Sequence, residues 1–349
     1  MDSKAATDSR LKRGYFHDYH SPCIYLVTVT VVDREPLLGD VTGDVEHAVI
    51  GLSEVGRAVK REVYALPQRY PQVQVLQYQI MPDHVHLVLR VHERLPEQMP
   101  IGNVVAAWKQ ACGKAYSALL WRDLKASPRD GQPSAQACPS REATFRSPEG
   151  SKPPYKPLFS KGYNDSILMG KGQLAHMIAY VQDNPRRLLI KRQNRGLFAI
   201  HRGLAVAGMS FDAVGNLCLL QKPMAAVHCR SRWTDAEQQE YAQHCLALAD
   251  KGTVLVGAFI SKAEKAIEQA AMKKGLPVVR LVENGFNDLY KPIGRDFYAC
   301  AEGRLLLLAP WPYHNDTRTI TREQCQQLNE MAETISLNND VLTTKNQPR

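Results

Sequence analysis

Residues 73–91 form two strand-like runs on either side of a turn, and this pattern leaves few folds open. They read VQVLQYQIMPDHVHLVLRV, with Pro82-Asp83 between the runs. Pro and Asp favour turns, whereas runs rich in Val, Leu and Ile favour strands. The sequence therefore predicts a β-hairpin, and a hairpin requires antiparallel pairing.

The residues around this hairpin show both strand and helix periodicity. Residues 23–32, CIYLVTVTVV, predict a buried strand, and 157–170 predict a strand or an extended segment. Amphipathic helices are predicted at 46–66 and 103–124. A short helix is predicted at 173–184, where Pro185 ends it because proline has no backbone N–H. We therefore expect an α+β domain in the first 200 residues.

From about residue 200 onward, short apolar runs alternate with helical segments. Strands are predicted at 252–261, 276–283 and 304–312, and helices at 234–250, 263–275 and 322–335. This alternation is typical of a parallel βαβ sheet that is covered on both faces. Ser261 is predicted to cap the helix that follows it. Residues 201–349 are therefore expected to form a small α/β domain.

Composition separates these parts of the chain. Residues 126–157 are dominated by Ser, Pro, Gly and charge, which predicts a mobile insertion in the first domain. The net charge of +9 is uneven, because residues 1–200 have 27 Lys+Arg and 19 Asp+Glu, whereas 201–349 have 17 and 16. A basic first domain favours a polyanion such as nucleic acid, although a merely soluble basic surface explains the same count.

Export and membrane signals are weak in this sequence. The first 20 residues are polar, and no apolar run reaches the roughly 18 residues that a transmembrane helix needs. The eight cysteines are scattered without a C-x-x-C pair, which favours reduced thiols. A cytoplasmic protein without membrane contact is expected.

His84 and His86 are the first candidates for chemistry. Side chains alternate along a strand, so the two imidazoles share one face at a spacing of about 7 Å. Two neutral imidazoles at this spacing can share a divalent cation. A lone His-x-His is more often structural, so a metal site needs further ligands.

Tyr180 and Asn184 are candidates for completing such a site. They are four residues apart on the predicted short helix and therefore share a face. Asn184 offers an oxygen ligand, and Tyr180 offers a phenol that could attack phosphorus. The alternative is that Tyr180 packs as an ordinary amphipathic core residue. Tyr163 is the next candidate nucleophile.

With these residues the sequence resembles a known family. MPDHVHLVLRV, AWKQACGKAYSALL, PLFSKGYNDSIL and AYVQDNP resemble, in order and spacing, the single-tyrosine HUH transposases found with insertion sequences and REP elements. The resemblance covers about residues 14–198. The usual arginine after the aromatic-Asp stretch is absent, because SILMGKG stands there. Residues 201–349 resemble only loosely the Rossmann-like domains of DNA-processing and nucleotide-binding proteins.

The resemblance implies a specific fold and site. The fold would be a ferredoxin-like antiparallel α+β sheet followed by a small α/β Rossmann-like domain of unknown role. His84 and His86 would bind Mg²⁺ or Mn²⁺, with Asn184 as a polar ligand or a positioning group, and Tyr180 would be the nucleophile. The protein would cleave and rejoin single-stranded or hairpin DNA through a 5′-phosphotyrosine, as a homodimer.

Four basic residues follow the candidate nucleophile. Arg186, Arg187, Lys191 and Arg192 occur in a segment, 185–195, that contains no acid. They are candidates for contacts to DNA phosphates, and the alternative is a solvated helix face. Two other functions stay open, namely a HUH nickase or processing enzyme that acts on hairpin DNA and a non-catalytic DNA-binding regulator.

Overall fold

The computed structural model describes residues 17–126, 155–170, 172–230, 232–316 and 319–337. The chain divides into two compact units, Met1–Leu189 and Ile190–Arg349, which are described separately. Most of the predicted insertion, residues 127–154, lies outside the described residues. Among the described helices, none combines the length and apolarity of a transmembrane span.

The first unit contains an antiparallel four-stranded sheet in the order β4-β5-β1-β6, with β2 and β3 paired separately. The elements are β1 (Cys23–Thr30), β2 (Gly39–Thr42), β3 (Val49–Leu52), α1 (Glu54–Arg69), β4 (Val73–Ile80), β5 (His84–Val91), α2 (Ile101–Ala126), β6 (Asn164–Leu168) and α3 (Gln173–Gln193). The predicted hairpin at 73–91 is confirmed as β4 and β5, which pair from Val73–Val91 to Ile80–Val85.

The two faces of this sheet have different partners. Val27, Val29, Val85, Leu87 and Leu89 belong to the main core, together with buried side chains of α1 and α2. On the opposite face Leu26 and Val88 form a small cluster with Val181 of α3. Because neighbouring side chains on a strand alternate, His84 and His86 lie on the same face as Val88. The histidines therefore lie on the face that α3 covers.

The helix predicted at 46–66 is wrong at its start. Val49–Leu52 is the strand β3, and the helix begins only at Glu54. Ser53 is the N-cap, and its side chain accepts a hydrogen bond from the backbone N of Gly56 at 3.0 Å. This cap ends the strand and satisfies a backbone donor that would otherwise be free at the helix start.

The expectation that Pro185 ends its helix is also wrong, since α3 continues through Pro185 to Gln193. A proline inside a helix removes one backbone hydrogen bond and costs about 3 kcal/mol. Val181, Asn184 and Pro185 itself are buried. Packing of this helix face offsets the loss.

The second unit has a six-stranded sheet in the order β7-β8-β12-β11-β10-β9. The elements are 3₁₀ turns at Arg195–Phe198 and Leu217–Gln221, β7 (Ile200–Val206), β8 (Met209–Gly215), β9 (Met224–Ala226), α4 (Asp235–Asp250), β10 (Val254–Gly257), α5 (Lys262–Lys273), β11 (Val278–Leu281), α6 (Gly294–Ala301), β12 (Leu305–Ala309) and α7 (Arg322–Leu337). Ser261 caps α5 as predicted.

The predicted parallel sheet is correct for only part of this unit. Strands β9 to β12 are parallel, whereas β8 pairs antiparallel with both β12 and β7. The β7–β8 hairpin has the two-residue turn Ala207-Gly208, with φ of 50° and 78°. Two positive φ values in succession are typical of a type I′ turn, which joins antiparallel strands. The sheet is therefore mixed. Helices with antiparallel and mixed sheets are compatible with the predicted α+β fold, whereas the second unit is not the purely parallel α/β sheet that was expected.

Candidate active site

His84 and His86 stand at the start of β5, where the strand leaves its turn. The turn is closed by a hydrogen bond from the backbone N of Met81 to the backbone O of His84 at 2.8 Å. Register then sets His86 directly opposite Thr28 of β1 and Gln79 of β4. The two imidazole Nε2 atoms are 3.1 Å apart, and His86 is only 6% exposed. The strand therefore aims both Nε2 atoms at one point.

The other nitrogen of each imidazole is held by a neighbour. Asp83 Oδ1 lies 2.6 Å from Nδ1 of His84, and Thr28 Oγ1 lies 2.9 Å from Nδ1 of His86. Arg34 donates to the other carboxylate oxygen of Asp83 at 3.2 Å. Partners on Nδ1 fix the orientation of an imidazole and leave Nε2 available as a ligand. Asp83 and Thr28 thus orient both imidazoles so that each Nε2 atom is available as a metal ligand.

Burial and charge set the protonation states here. Burial, reinforced by the charge of His84, lowers the pKa of His86 to about 3, so His86 is neutral at pH 7. Burial alone would raise the pKa of Asp83, but the hydrogen bond and charge of His84 and the nearby Arg34 outweigh it and lower that pKa. Asp83 is therefore an anion next to His84.

Helix α3 brings Tyr180 to this pair. The ring centroid of Tyr180 is 6.0 Å from that of His86, and Tyr180 is 40% exposed. The guanidinium carbon of Arg187 is 5.5 Å from the Tyr180 ring centroid. Burial lowers the pKa of Arg187 despite the opposing influence of Tyr180 and Asp183. Tyr180 thus lies between a neutral imidazole and a guanidinium while keeping access to solvent.

Asn184 is one turn further along α3 and is 8% exposed. Its side-chain Nδ2 is buried without a hydrogen-bond partner. A buried amide nitrogen without a hydrogen-bond partner is energetically costly. It indicates either a ligand at this position or an amide with N and O exchanged. Because amide N and O are assigned from their partners, the same position can present an oxygen donor.

These donors fit a divalent cation. No group of three or more His, Cys, Asp or Glu side chains that could hold a metal ion occurs in the part of the chain that the structure describes. Imidazole nitrogens are nonetheless common ligands of divalent cations, and an amide oxygen such as that of Asn184 suits Mg²⁺ and Mn²⁺. So few protein ligands would leave positions open to water or to substrate oxygens, as catalytic metal sites require.

The predicted phosphate-binding residues all lie on α3, since the helix extends to Gln193. Arg186 pairs with Asp183 at 3.5 Å, so an acid just outside the basic segment offsets part of its charge. Lys191 and Arg192 occupy the last turn of the helix. Burial, and then repulsion from Lys291, lowers the pKa of Lys191. The segment is thus a helix face rather than an extended tail.

Two other residues have clear positions. The alternative nucleophile Tyr163 is partly buried against the main core, on the sheet face away from the histidines. The sequence did not predict Thr28 and Asp83 as site residues, although both contact the imidazoles. Asp83 could have been found from its adjacency to His84. Thr28 has no signal in the linear sequence because only the β1–β5 register brings it to His86.

Comparison with known proteins gives limited similarity. No known family model matches the chain. An uncharacterized protein of Haemophilus influenzae (strain ATCC 51907 / DSM 11121 / KW20 / Rd) is 27% identical over 79 residues, which make up 23% of this chain and 42% of that protein. The matched region thus spans less than half the length of that relative.

Three solved structures are similar over part of the chain. A REP-associated tyrosine transposase bound to a REP hairpin is 10% identical, with a TM-score of 0.28 over 49% of this chain and 71% of that one. A putative transposase from Deinococcus radiodurans is 18% identical, with a TM-score of 0.26 over 49% and 94%. DNA processing protein A from Helicobacter pylori, studied for its single-stranded DNA binding, is 16% identical, with a TM-score of 0.29 over 40% and 66%.

Proposed function

We propose that this chain is a metal-dependent HUH enzyme that cleaves and rejoins single-stranded DNA through one tyrosine, as transposases of this type do. The observation that carries the proposal is the convergence of His84, His86 and Tyr180, with both Nε2 atoms 3.1 Å apart and the tyrosine ring 6.0 Å from His86. The strand order β4-β5-β1-β6, with helices after β1 and β5, supports a ferredoxin-like sheet as the scaffold.

The proposed reaction is an in-line attack of the Tyr180 hydroxyl oxygen on a DNA phosphorus. The phenol gives up its proton to solvent and its oxygen bonds to phosphorus. The bond from phosphorus to the 3′ oxygen breaks, and that oxygen takes up a proton from solvent and leaves as a 3′-OH. The product is a 5′-phosphotyrosine, and the 3′-OH of another strand reverses the step. We propose that Arg187, whose guanidinium carbon is 5.5 Å from the Tyr180 ring centroid, stabilises negative charge that develops during the attack.

His84, His86 and the amide of Asn184 would hold Mg²⁺ or Mn²⁺. A bound cation would polarise the scissile phosphate and stabilise the charge that develops on it. The side chains of Asp83 and Thr28 keep the two Nε2 atoms turned towards that position. Arg186, Arg187, Lys191 and Arg192 are proposed to contact the DNA backbone along α3. The proposal includes a homodimer, which sedimentation velocity on the full chain would detect.

The test is adduct formation on single-stranded hairpin DNA. The full chain is incubated with labelled DNA and Mg²⁺ or Mn²⁺, and covalent protein–DNA adduct is measured on a denaturing gel. We expect an adduct that disappears in Tyr180→Phe, in His84→Ala and after chelation, and that persists in Tyr163→Phe. An adduct that survives in Tyr180→Phe would contradict the assigned nucleophile.

The same experiment separates the alternatives. Cleavage without rejoining, measured by adding a free 3′-OH strand, would favour a nickase or processing enzyme. Tight DNA binding without any adduct in the native chain would favour a non-catalytic regulator.

A further inference from the structure

A groove of about 310 Å³ lies along β4, which is an outer strand of the four-stranded sheet. Its walls include Ile50 and Leu52 of β3, Lys60 of α1, and Gln77, Tyr78 and Gln79 of β4. We call this cavity the edge groove. No acidic side chain is among its lining residues in the described part of the chain. The lining thus combines one cation, two amides and an aromatic ring, which can contact a negative charge, hydrogen-bonding groups and a planar ring.

A solvent-exposed aromatic platform adjoins the edge groove. Tyr64 of α1 is 58% exposed, so much of its ring is open to solvent. It meets the Tyr78 ring edge-on at 5.8 Å, and the two hydroxyls are 2.9 Å apart. Lys60 lies one turn earlier, with Nζ 5.9 Å from the Tyr64 ring centroid. Burial and the hydrogen bond to Tyr64 raise the pKa of Tyr78 to about 12, so its hydroxyl stays uncharged.

The edge groove reaches the histidine face of the sheet through Gln77 and Gln79, which alternate with Tyr78 along the outer strand β4. Gln79 is directly opposite His86 in the β4–β5 register, and Gln77 is opposite Val88. Directly paired residues on neighbouring strands share a face and lie about 5 Å apart at Cβ. The amide of Gln79 is therefore within one residue pair of the imidazoles. Tyr78, Tyr64 and Lys60 lie on the opposite face, which α1 covers, so a DNA strand held there would cross the outer edge of β4 to reach the histidines.

We propose that the edge groove binds unpaired nucleotides of single-stranded DNA, with one base stacked on Tyr64 and a neighbouring phosphate at Lys60. Stacking on an exposed ring and a nearby cation are the two elements by which proteins hold single strands without strong sequence preference. Gln77 and Gln79 offer amide donors and acceptors to base edges. The inference rests on the proposed function for its choice of DNA, and it adds a substrate-binding residue that lies outside the histidine–tyrosine site.

The test compares Tyr64 with an equally exposed tyrosine elsewhere. Binding of a fluorescent, unpaired DNA oligonucleotide to the full chain is measured by anisotropy, with a chelator present so that no cleavage occurs. Tyr64→Ala is expected to weaken binding by about 5- to 150-fold, the effect of losing one stacked base. Tyr64→Phe keeps the ring and should bind within about threefold of the native chain. Tyr155→Ala, at a residue that is 55% exposed, should have no effect.

A second variant guards against misfolding of Tyr64→Ala. Lys60→Gln should reduce the slope of log affinity against log salt by about 0.7 if Lys60 contacts one phosphate of a single strand. Unchanged affinity in folded Tyr64→Ala, or an unchanged slope in Lys60→Gln, would overturn the inference. Tighter binding of an RNA of the same sequence would also overturn it.

The outcome is separable from that of the proposed function. A Tyr180-dependent adduct together with unaltered DNA binding by Tyr64→Ala would support the proposed enzyme and contradict DNA binding in the edge groove. If Tyr64→Ala weakens DNA binding but the native chain forms no adduct, the edge groove binds DNA and the proposed enzyme activity is contradicted.

Discussion

Each of the two imidazoles is oriented by a different type of partner. His84 has the carboxylate of Asp83 at its Nδ1, whereas His86 has only the hydroxyl of Thr28. A carboxylate accepts a stronger hydrogen bond than a hydroxyl does, so the ring of His84 should be held in its orientation more firmly than that of His86. His86 contributes a different property, since its burial keeps it neutral and free of a competing proton.

Asp83→Asn should weaken Mn²⁺ binding by about 10- to 100-fold, because the amide can no longer accept a charge-assisted hydrogen bond from His84. Calorimetric titration of the full chain measures this. Asp44→Asn is the matched control, since Asp44 contacts the Nδ1 of His47 at 3.0 Å on the exposed β2–β3 hairpin. Equal losses in both variants would contradict a specific role for Asp83.

Thr28→Val should also weaken the site, because the isosteric side chain removes the hydroxyl that contacts His86 Nδ1 while keeping the packing. We expect a loss of Mn²⁺ affinity within the same range of about 10- to 100-fold. Thr28→Ser retains the hydroxyl and should bind nearly as well as the native chain. If the serine variant lost as much affinity as the valine variant, the hydroxyl would not be the cause.

Only part of this site can be predicted from the sequence. His84, His86 and Tyr180 were found because a strand and a helix each impose a spacing that can be counted. The distance between the histidines and Tyr180 could not be predicted, since it depends on the packing of Val181 against Leu26 and Val88. The contact of Thr28 with His86 could not be predicted either, because it depends on the register between two strands, which is a tertiary property.

At the scale of elements, α3 is attached to the sheet through a small apolar cluster, in contrast to the extensive core beneath α1 and α2. Val181 is fully buried between Leu26 and Val88, while much of the helix surface is exposed. The stability of a segment depends on its own buried contacts, so different parts of a protein open at different cost. The helix with the candidate nucleophile should therefore open more easily than the strands with the histidines.

Val181→Ala should destabilise the chain by about 2 kcal/mol and should accelerate amide hydrogen exchange mainly in α3. Adduct formation should fall with it. Val63→Ala is the matched control, because Val63 is equally buried in the core under α1. It should cost a similar free energy of unfolding without selective exchange in α3. Exchange that rises uniformly in both variants would contradict separate opening of this helix.

Asp18 ties the segment before β1 to the segment after β5. It accepts hydrogen bonds from Ser21 Oγ at 2.7 Å, Arg94 at 2.6 Å and the backbone N of His20 at 3.0 Å. These bonds hold the pKa of Asp18 well below its ordinary value of 3.8. A lowered pKa in the folded state stabilises the protein above pH 3.8, and this stabilisation is lost as the pH falls below it.

Asp18→Asn should therefore lower the Tm at pH 7, and the difference from the native chain should narrow as the pH falls below 3.8. Thermal unfolding followed by circular dichroism between pH 7 and pH 2 measures this. A Tm difference that is constant across the range would show that the carboxylate charge is not involved.

The elements missed by sequence reasoning were short or ambiguous. Val49, Ile50, Leu52 and Val55 fit a helical stripe as well as a strand, because four residues cannot separate the two periods. The structure resolves this through pairing of β2 with β3, where Gly39 approaches so closely that a Cβ on it would lie 2.3 Å from the backbone O of Gly51. Long periodic elements such as α2 and the 73–91 hairpin were predicted because their pattern repeats.

At the scale of the whole molecule, charge is distributed unevenly along the chain. Nearly all of the net +9 belongs to residues 1–200, and the block 151–200 has nine basic and two acidic residues. Under the proposed function, such a distribution predicts that binding of DNA depends on salt and that this dependence comes from the first unit and α3.

Arg186→Gln combined with Arg192→Gln should reduce the slope of log affinity against log salt by about 1.4 for single-stranded DNA, if each arginine contacts one phosphate. Arg322→Gln in α7 should leave the slope unchanged. Anisotropy titrations at several salt concentrations measure all three. Equal changes in the α3 and α7 variants would mean that the effect reports overall charge rather than contact.

The position of β12 has a consequence for synthesis of the protein. β12 is the last strand along the chain, yet it lies between β8 and β11. Until the ribosome has released residue 309, β8 and β11 have open edges and the apolar cores beside them are incomplete. Chains terminated before Leu305 should therefore aggregate. The first unit avoids this hazard, since its last strand, β6, is added at an outer edge of a sheet whose other strands can already pair.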